Sequence, residues 1–150
     1  MKPAAFDYLR VNSSDEAVQA LTKHGEDARI LAGGQSLMAV LNMRLAQPSL
    51  LIDISSSQEL ANIKLENFAL HIGAAATQAQ VEIRPNLATE VPLLALAFPY
   101  ISHFQIRNRG TVAGSIAHAD PSAELPLCLL ALEGELVLRT PRSRANCACS

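Results

Sequence analysis

The sequence predicts an α/β fold, and three features predict it. The run Ala28-Arg29-Ile30-Leu31-Ala32 reads as a buried strand. It turns on Gly33-Gly34 into Leu37-Met38-Ala39-Val40-Leu41-Asn42-Met43-Arg44-Leu45, which reads as a helix. Leu50-Leu51-Ile52-Asp53-Ile54 then follows as a second apolar strand. Two strands joined by a crossover helix make a βαβ unit and imply a small parallel sheet. The 150 residues suit one ordinary domain, and a 49% hydrophobic content with mean hydropathy +0.18 is enough to bury a sizeable core.

In chain order, Met1-Lys2-Pro3-Ala4-Ala5-Phe6-Asp7-Tyr8 has neither an apolar core nor a cleavage pattern, so no signal peptide is expected. Ser13 and Glu16 have capping-box spacing and open a helix whose apolar face is Ala17, Val18 and Leu21. His24-Gly25 closes it, the histidine favouring the helix dipole. Gln47-Pro48 breaks the second helix. Ile63-Lys64-Leu65-Glu66 and Phe68-Ala69-Leu70-His71-Ile72 alternate around Asn67 and read as a hairpin, with His71 facing solvent. Residues 77–84 and 92–98 are helix-like, with Pro92 near a start and Glu82, Arg84 and Glu90 as solvated charges.

A second loop stretch, residues 105–124, is rich in Thr, Gly and Ser; a strand-like run precedes it and a helix capped by Ser122 follows. Residues 125–132 read as a buried helix and 135–139 as a strand. From Pro141 onward no periodicity or large apolar residue remains, which predicts a disordered tail.

Composition excludes several roles. The net charge of −2 gives no reason to expect nucleic acid or an anionic membrane as partner. Aromatics are 4% with no Trp, so base-stacking platforms are not expected. No apolar run reaches the ~18–20 residues of a membrane span, and residues 91–101 contain two prolines; the cytoplasm is the expected compartment. Cys128 reads as a buried thiol. Cys147-Ala148-Cys149 lacks the further ligands a zinc or iron–sulfur site needs, so no metal is expected.

The glycine turn carries the chemistry. Gly33 and Gly34 can take φ > 0 and admit a ligand to the backbone. The first N–H groups of the following helix lack intrahelical partners and suit an anion. Ser36 can cap that helix or donate to a phosphate oxygen. A tight βα turn with no ligand is the alternative. Arg107, Asn108, His118 and Asp120 crowd the second loop in a way that capping alone does not explain.

Ala32-Gly33-Gly34-Gln35-Ser36-Leu37 and Asn108-Arg109-Gly110-Thr111-Val112-Ala113-Gly114-Ser115, followed by His118-Ala119-Asp120-Pro121 and Glu124-Leu125-Pro126, resemble the FAD-binding medium subunit of molybdenum hydroxylases, the carbon monoxide dehydrogenase and xanthine dehydrogenase family. Phe6-Asp7-Tyr8 and Pro48-Ser49-Leu50-Leu51-Ile52-Asp53-Ile54 add to the likeness, which spans roughly residues 3–140. The resemblance implies a vanillyl-alcohol oxidase (PCMH-type) fold, with FAD between two α/β subdomains at 1–57 and 58–140, the second incomplete, and a non-family tail at 141–150. It implies that Gly33, Gly34, Gln35 and Ser36, flanked by Leu31, Ala32 and Leu37, hold the FAD pyrophosphate from one side. Thr111, Gly114 and Ser115 would hold it from the other, with Ala113 beside them in the cofactor-binding stretch. Asp120 would sit near the adenosine, and Glu124 would accept from the ribose hydroxyls; His118, by its place near the loop, reads as a further cofactor contact or else a structural side chain.

The implied role is an electron-transfer flavoprotein subunit with no acid, base or nucleophile of its own. Its partners would be a molybdenum-cofactor large subunit and a small subunit with two [2Fe–2S] clusters, and an external acceptor would take the electrons. Two departures stand out. Ala113 replaces a usual glycine and would cost ~1 kcal/mol if that position needs φ > 0. The family pattern also stops near Arg142, as in a truncated or frameshifted chain. An assembly or binding module that holds no FAD is therefore the alternative. A stand-alone oxidase of the vanillyl-alcohol type is a weaker one, since no covalent-attachment pattern supports it.

Overall fold

A computed structural model of the chain describes residues 1–141 and 144–148. Its first part is a three-stranded parallel sheet of β1 (Asp7–Arg10), β2 (Ala28–Leu31) and β3 (Leu50–Asp53), in the order β1-β3-β2. Leu51 lies between Tyr8 and Arg29, and Asp53 between Arg10 and Leu31. The central position explains why all four residues of β3 are buried. It also explains why β2, expected to be buried throughout, buries only Ala28: β2 is an edge strand and turns Arg29 to solvent. Strand β1 was not anticipated.

Helix α1 (Ser14–His24) covers the sheet with Ala17 and Ala20. The Ser13 hydroxyl accepts from the Glu16 N–H as the capping motif requires, but the Glu16 carboxylate takes the N–H of Asn12, one residue earlier than the box predicts. Helix α2 (Leu37–Asn42) ends three residues before the expected Leu45, with Arg44 at φ +56. Val11, Ala17, Ala28, Leu50, Ile52 and Ile54 form one core cluster.

The second part starts with the expected hairpin, β4 (Ile63–Glu66) and β5 (Ala69–Ile72), which leaves His71 exposed. Helices α3 (Gln78–Glu82), α4 (Leu87–Glu90), α5 (Pro92–Ala97) and α6 (Phe104–Arg107) follow. After them come α7 (Val112–His118), α8 (Glu124–Ala131) and β6 (Glu135–Arg139). Val81, Leu87, Leu94, Phe98, Ile101, Val112 and Leu125 form a second core cluster around the fully buried Phe98.

Several expectations are corrected. The run before the second loop is helical α6 rather than a strand, and much of that loop is α7, because Thr111 caps it. Ser122 does not cap α8; its N–H and hydroxyl both bond Asp120 Oδ1, at 2.9 and 2.7 Å. Helix α8 is half buried: Leu125 and Cys128 point inward, while Leu127 and Leu130 are exposed. Arg84 and Glu90 form a bidentate ion pair rather than two solvated charges. At the chain end, Arg144–Ala148 is a strand, β7, paired antiparallel with β6. Ladder hydrogen bonds order this segment where apolar burial could not. The tail expectation for Arg142, Ser143, Cys149 and Ser150 lies outside the described residues.

The hairpin turn is strained at a definable place. Asn67 and Phe68 have φ of +50° and +62°, the two-residue type I′ pattern that favours Asn-Gly. Phe68 is fully exposed and gains no burial in return. Phe68→Gly is expected to stabilise the chain by about 0.5–1 kcal/mol, read as a rise in Tm; an unchanged or lower Tm would contradict this account of the turn.

Candidate functional site

The first loop is shaped by two glycines acting for different reasons. Gly34 sits at φ +72°, the left-handed region that a side chain disfavours. Gly33 has an ordinary φ but no room: a Cβ there would lie 2.2 Å from the Arg109 carbonyl oxygen and 2.6 Å from the Gly110 Cα. The two loops thus meet backbone to backbone at this point. The Gly34 carbonyl accepts from Met38 N–H at 3.0 Å and starts α2. Gln35 folds back, its Nε2 donating to the Gly33 carbonyl at 3.0 Å. Ser36 is already helical and makes no capping bond with its side chain, so of its two expected uses only hydroxyl donation to a ligand remains.

The second loop is held by the segment before α3. Thr77 and Thr111 form an isolated antiparallel bridge, Gln78 N–H donates to the Gly110 carbonyl at 2.8 Å, and Val112 N–H donates to that of Ala76 at 3.3 Å. A capping box on α3, with Thr77 and Gln80 exchanging bonds, stiffens the support. Thr111 Oγ1 accepts from Gly114 N–H at 3.0 Å. Ala113 lies inside α7 and is not among the positive-φ residues, so it carries none of the anticipated strain. Arg107 is structural: it clamps Glu82 with two bonds of 2.7 and 3.0 Å and donates to the carbonyls of Ile101 and Ser102.

Where the loops meet, a cleft opens in two compartments that share Ala32, Ser55 and Arg109. The first, about 270 Å³, is lined also by Leu31, Gly33, Gly34, Gln35, Met38 and Asp53. The second, about 370 Å³, is lined also by Arg10, Ala75, Thr77, Asn108 and Thr111. Of the residues expected at the site, Leu31, Ala32, Gly33, Gly34, Gln35 and Thr111 line this cleft. Ser36 and Leu37 follow directly in the α2 turn. Ala113, Gly114 and Ser115 lie in α7 behind Thr111, with His118 exposed at its end. Asp120 and Glu124 do not line either compartment; Asp120 is exposed and engaged with Ser122.

Sequence reasoning missed Arg10, Asp53, Ser55, Thr77 and Arg109 as lining residues. The sheet order supplies the first two: β1 and β3 are neighbours, so Arg10 and Asp53 end side by side.

Asp53 is nearly buried, its side chain 6% exposed, with Arg10 Nε at 3.8 Å from Oδ2. It accepts from the Tyr8 hydroxyl and, at 2.8 Å, from Ser55 N–H. Burial acts to raise its pKa, but the bonds from Tyr8 and Ser55 and the charge of Arg10 together outweigh it and hold the carboxyl below the usual range. Asp53 is therefore an ionised structural anchor at the cleft wall. A pyrophosphate fits the rest: a turn of two glycines open to the backbone, an uncapped serine hydroxyl, and two arginines against one ionised, ion-paired carboxylate.

The chain matches the model of the FAD-binding domain in molybdopterin dehydrogenase over residues 4–149. It is 47% identical over 133 residues to the 6-hydroxypseudooxynicotine dehydrogenase complex subunit alpha of Paenarthrobacter nicotinovorans, covering 89% of this chain and 45% of that protein. It is 40% identical over 144 residues to the carbon monoxide dehydrogenase medium chain of Hydrogenophaga pseudoflava, covering 96% and 50%. The solved carbon monoxide dehydrogenase of that organism superposes with a TM-score of 0.95 at 40% identity, covering 99% of this chain and 52% of that one. Quinoline 2-oxidoreductase from Pseudomonas putida 86 superposes equally well, at 36% identity. The chain spans about half the length of the relatives it matches.

Two outcomes follow from the geometry. Gly33→Ala must push the loops apart against backbone atoms and is expected to cost about 1–3 kcal/mol, measurable by denaturant titration; a neutral result would mean the loops do not touch there. A carboxylate with a depressed pKa adds stability that is full above the usual aspartate value of 3.8 and disappears as pH falls through its folded value. Asp53→Asn should therefore cost about 1–2 kcal/mol at neutral pH, and its stability curve should converge on that of the unmodified chain in acid. Parallel curves at every pH would refute the role given to Asp53.

Proposed function

The chain belongs to the family of FAD-binding domains of molybdopterin dehydrogenases, and from that premise we propose that it serves as the FAD-binding, electron-transfer part of a molybdenum-containing hydroxylase or dehydrogenase. The observation that carries this reading is the backbone contact of Gly33 with Arg109 and Gly110, which brings the glycine turn and the Thr111 loop to one cleft. Gly33, Gly34, Gln35 and Ser36 hold the FAD pyrophosphate from one side. Thr111, Gly114 and Ser115 support it from the other. Glu124, rather than the engaged Asp120, is the better acceptor for ribose hydroxyls, and His118 sits at the solvent end.

FAD, when bound, supplies the redox chemistry. The chain's own residues bind and orient it, and none acts as acid, base or nucleophile. The division at 1–57 and 58–140, with the cofactor between the two, belongs to the same proposal.

The partners proposed are a molybdenum-binding large subunit and a small subunit with two [2Fe–2S] clusters, from which electrons pass to an external acceptor. Relatives named as a complex subunit alpha and as medium chains support that assembly. A cytoplasmic location is proposed with it; no helix among the described residues is long and apolar enough to cross a membrane. The alternative reading is an assembly or binding module that holds no FAD.

Absorbance of the purified protein separates the two readings, since only the first gives flavin bands near a 1:1 ratio. Gly34→Val places a branched side chain at φ +72° and is expected to abolish flavin uptake while circular dichroism still reports a folded chain. Full occupancy in that variant would rule out this placement of the pyrophosphate.

A further inference from the structure

Three lining residues of the two-compartment cleft carry charge: Arg10, Asp53 and Arg109. Two of them answer each other. Arg10 stands 3.8 Å from the Asp53 carboxylate, and its Nη2 donates to the Tyr8 hydroxyl at 3.2 Å. Arg107, two residues before Arg109, is taken up by Glu82. The Arg109 guanidinium has no hydrogen-bond or ion-pair partner among the described residues, and the residue borders both compartments. Its main chain is fixed: its N–H donates to the Ile106 carbonyl at 3.1 Å, and its carbonyl lies against Gly33. Arg109 is therefore a lining residue with a fixed main chain at the seam of the two loops, whose side-chain charge is left uncompensated among the described residues.

Resting on the reading of this cleft as the FAD site, we propose that Arg109 is the charge partner of the cofactor's pyrophosphate and determines selectivity for a phosphate-bearing flavin over a neutral one. A pyrophosphate diester brings two negative charges, which backbone N–H groups solvate but do not neutralise. A guanidinium adds a charge and a planar set of donors matched to phosphate oxygens. Position 109 is exposed, so a change there leaves the core untouched.

The test uses the full chain with Arg109→Met and Arg109→Lys, each checked by thermal melting. FAD and riboflavin are titrated by flavin fluorescence from low to high salt, with inorganic pyrophosphate as competitor. Arg109→Met is expected to weaken FAD about tenfold or more at low salt, to flatten the salt dependence, and to leave riboflavin affinity unchanged. Arg109→Lys should keep most of the FAD affinity, and pyrophosphate should compete more weakly in Arg109→Met than in the unmodified chain. If the unmodified chain binds FAD and Arg109→Met binds it with the same affinity and salt slope, Arg109 has no such role although the FAD reading stands. If the unmodified chain binds no FAD, the parent reading fails and this assignment fails with it.

Discussion

The arrangement depends on one missing side chain. At Gly33 the first loop lies directly on the main chain of Arg109 and Gly110. That approach is closer than any Cβ would permit, and it is what makes two remote loops a single cleft. Everything that steadies it lies nearby. The parallel sheet fixes the start of the first loop through β2, and the bonds from Ala76, Thr77 and Gln78 fix the second. Glycine at this position answers a packing need inside the protein, whereas the neighbouring Gly34 answers a dihedral one.

Charge is distributed around the contact by the same economy. Three carboxylates near the loops are engaged: Asp53 by Tyr8, Ser55 and Arg10; Glu82 by Arg107; Asp120 by Ser122. A buried carboxylate left unbonded beside the cleft would repel an anion and destabilise the fold. Because these groups are satisfied internally, the electrostatic character of the cleft is set by Arg109. Buried side-chain polar atoms otherwise find partners, with one exception among the described residues: Gln78 Oε1, whose amide lies next to Gly110.

Local pattern made much of the fold legible in the sequence. The β2–α2–β3 unit, the cap at Ser13, the hairpin and strand β6 all follow from periodicity and turn chemistry within short windows. The errors share a cause, which is that the deciding partner is remote. Strand β1 has meaning only beside β3, which lies more than forty positions later. Strand β7 has too little apolar content to announce itself and exists by pairing with β6. Residues 112–118 looked like a loop because Gly114 and Ser115 are poor helix formers, while the Thr111 cap and the Ala76 carbonyl hold the helix in place. At the site, the glycine turn and Thr111 were readable, but Arg10, Asp53 and Ser55 were not. Their nearness to the loops is a property of strand order, which no single stretch encodes.

The length of chain between the two halves of that contact has a consequence for how the molecule reaches its native state. Residues 33 and 109 can meet only after a long loop closes, at an entropic cost that grows with the logarithm of its length, and contacts of that separation slow folding. The sheet around β3 and the cluster around Phe98 can each gather from nearer segments. The cleft is the product of their docking. A ligand that recognises the assembled cleft and not its separate walls draws the population toward the docked state by mass action. Completion of the cleft and ligand capture are then thermodynamically linked.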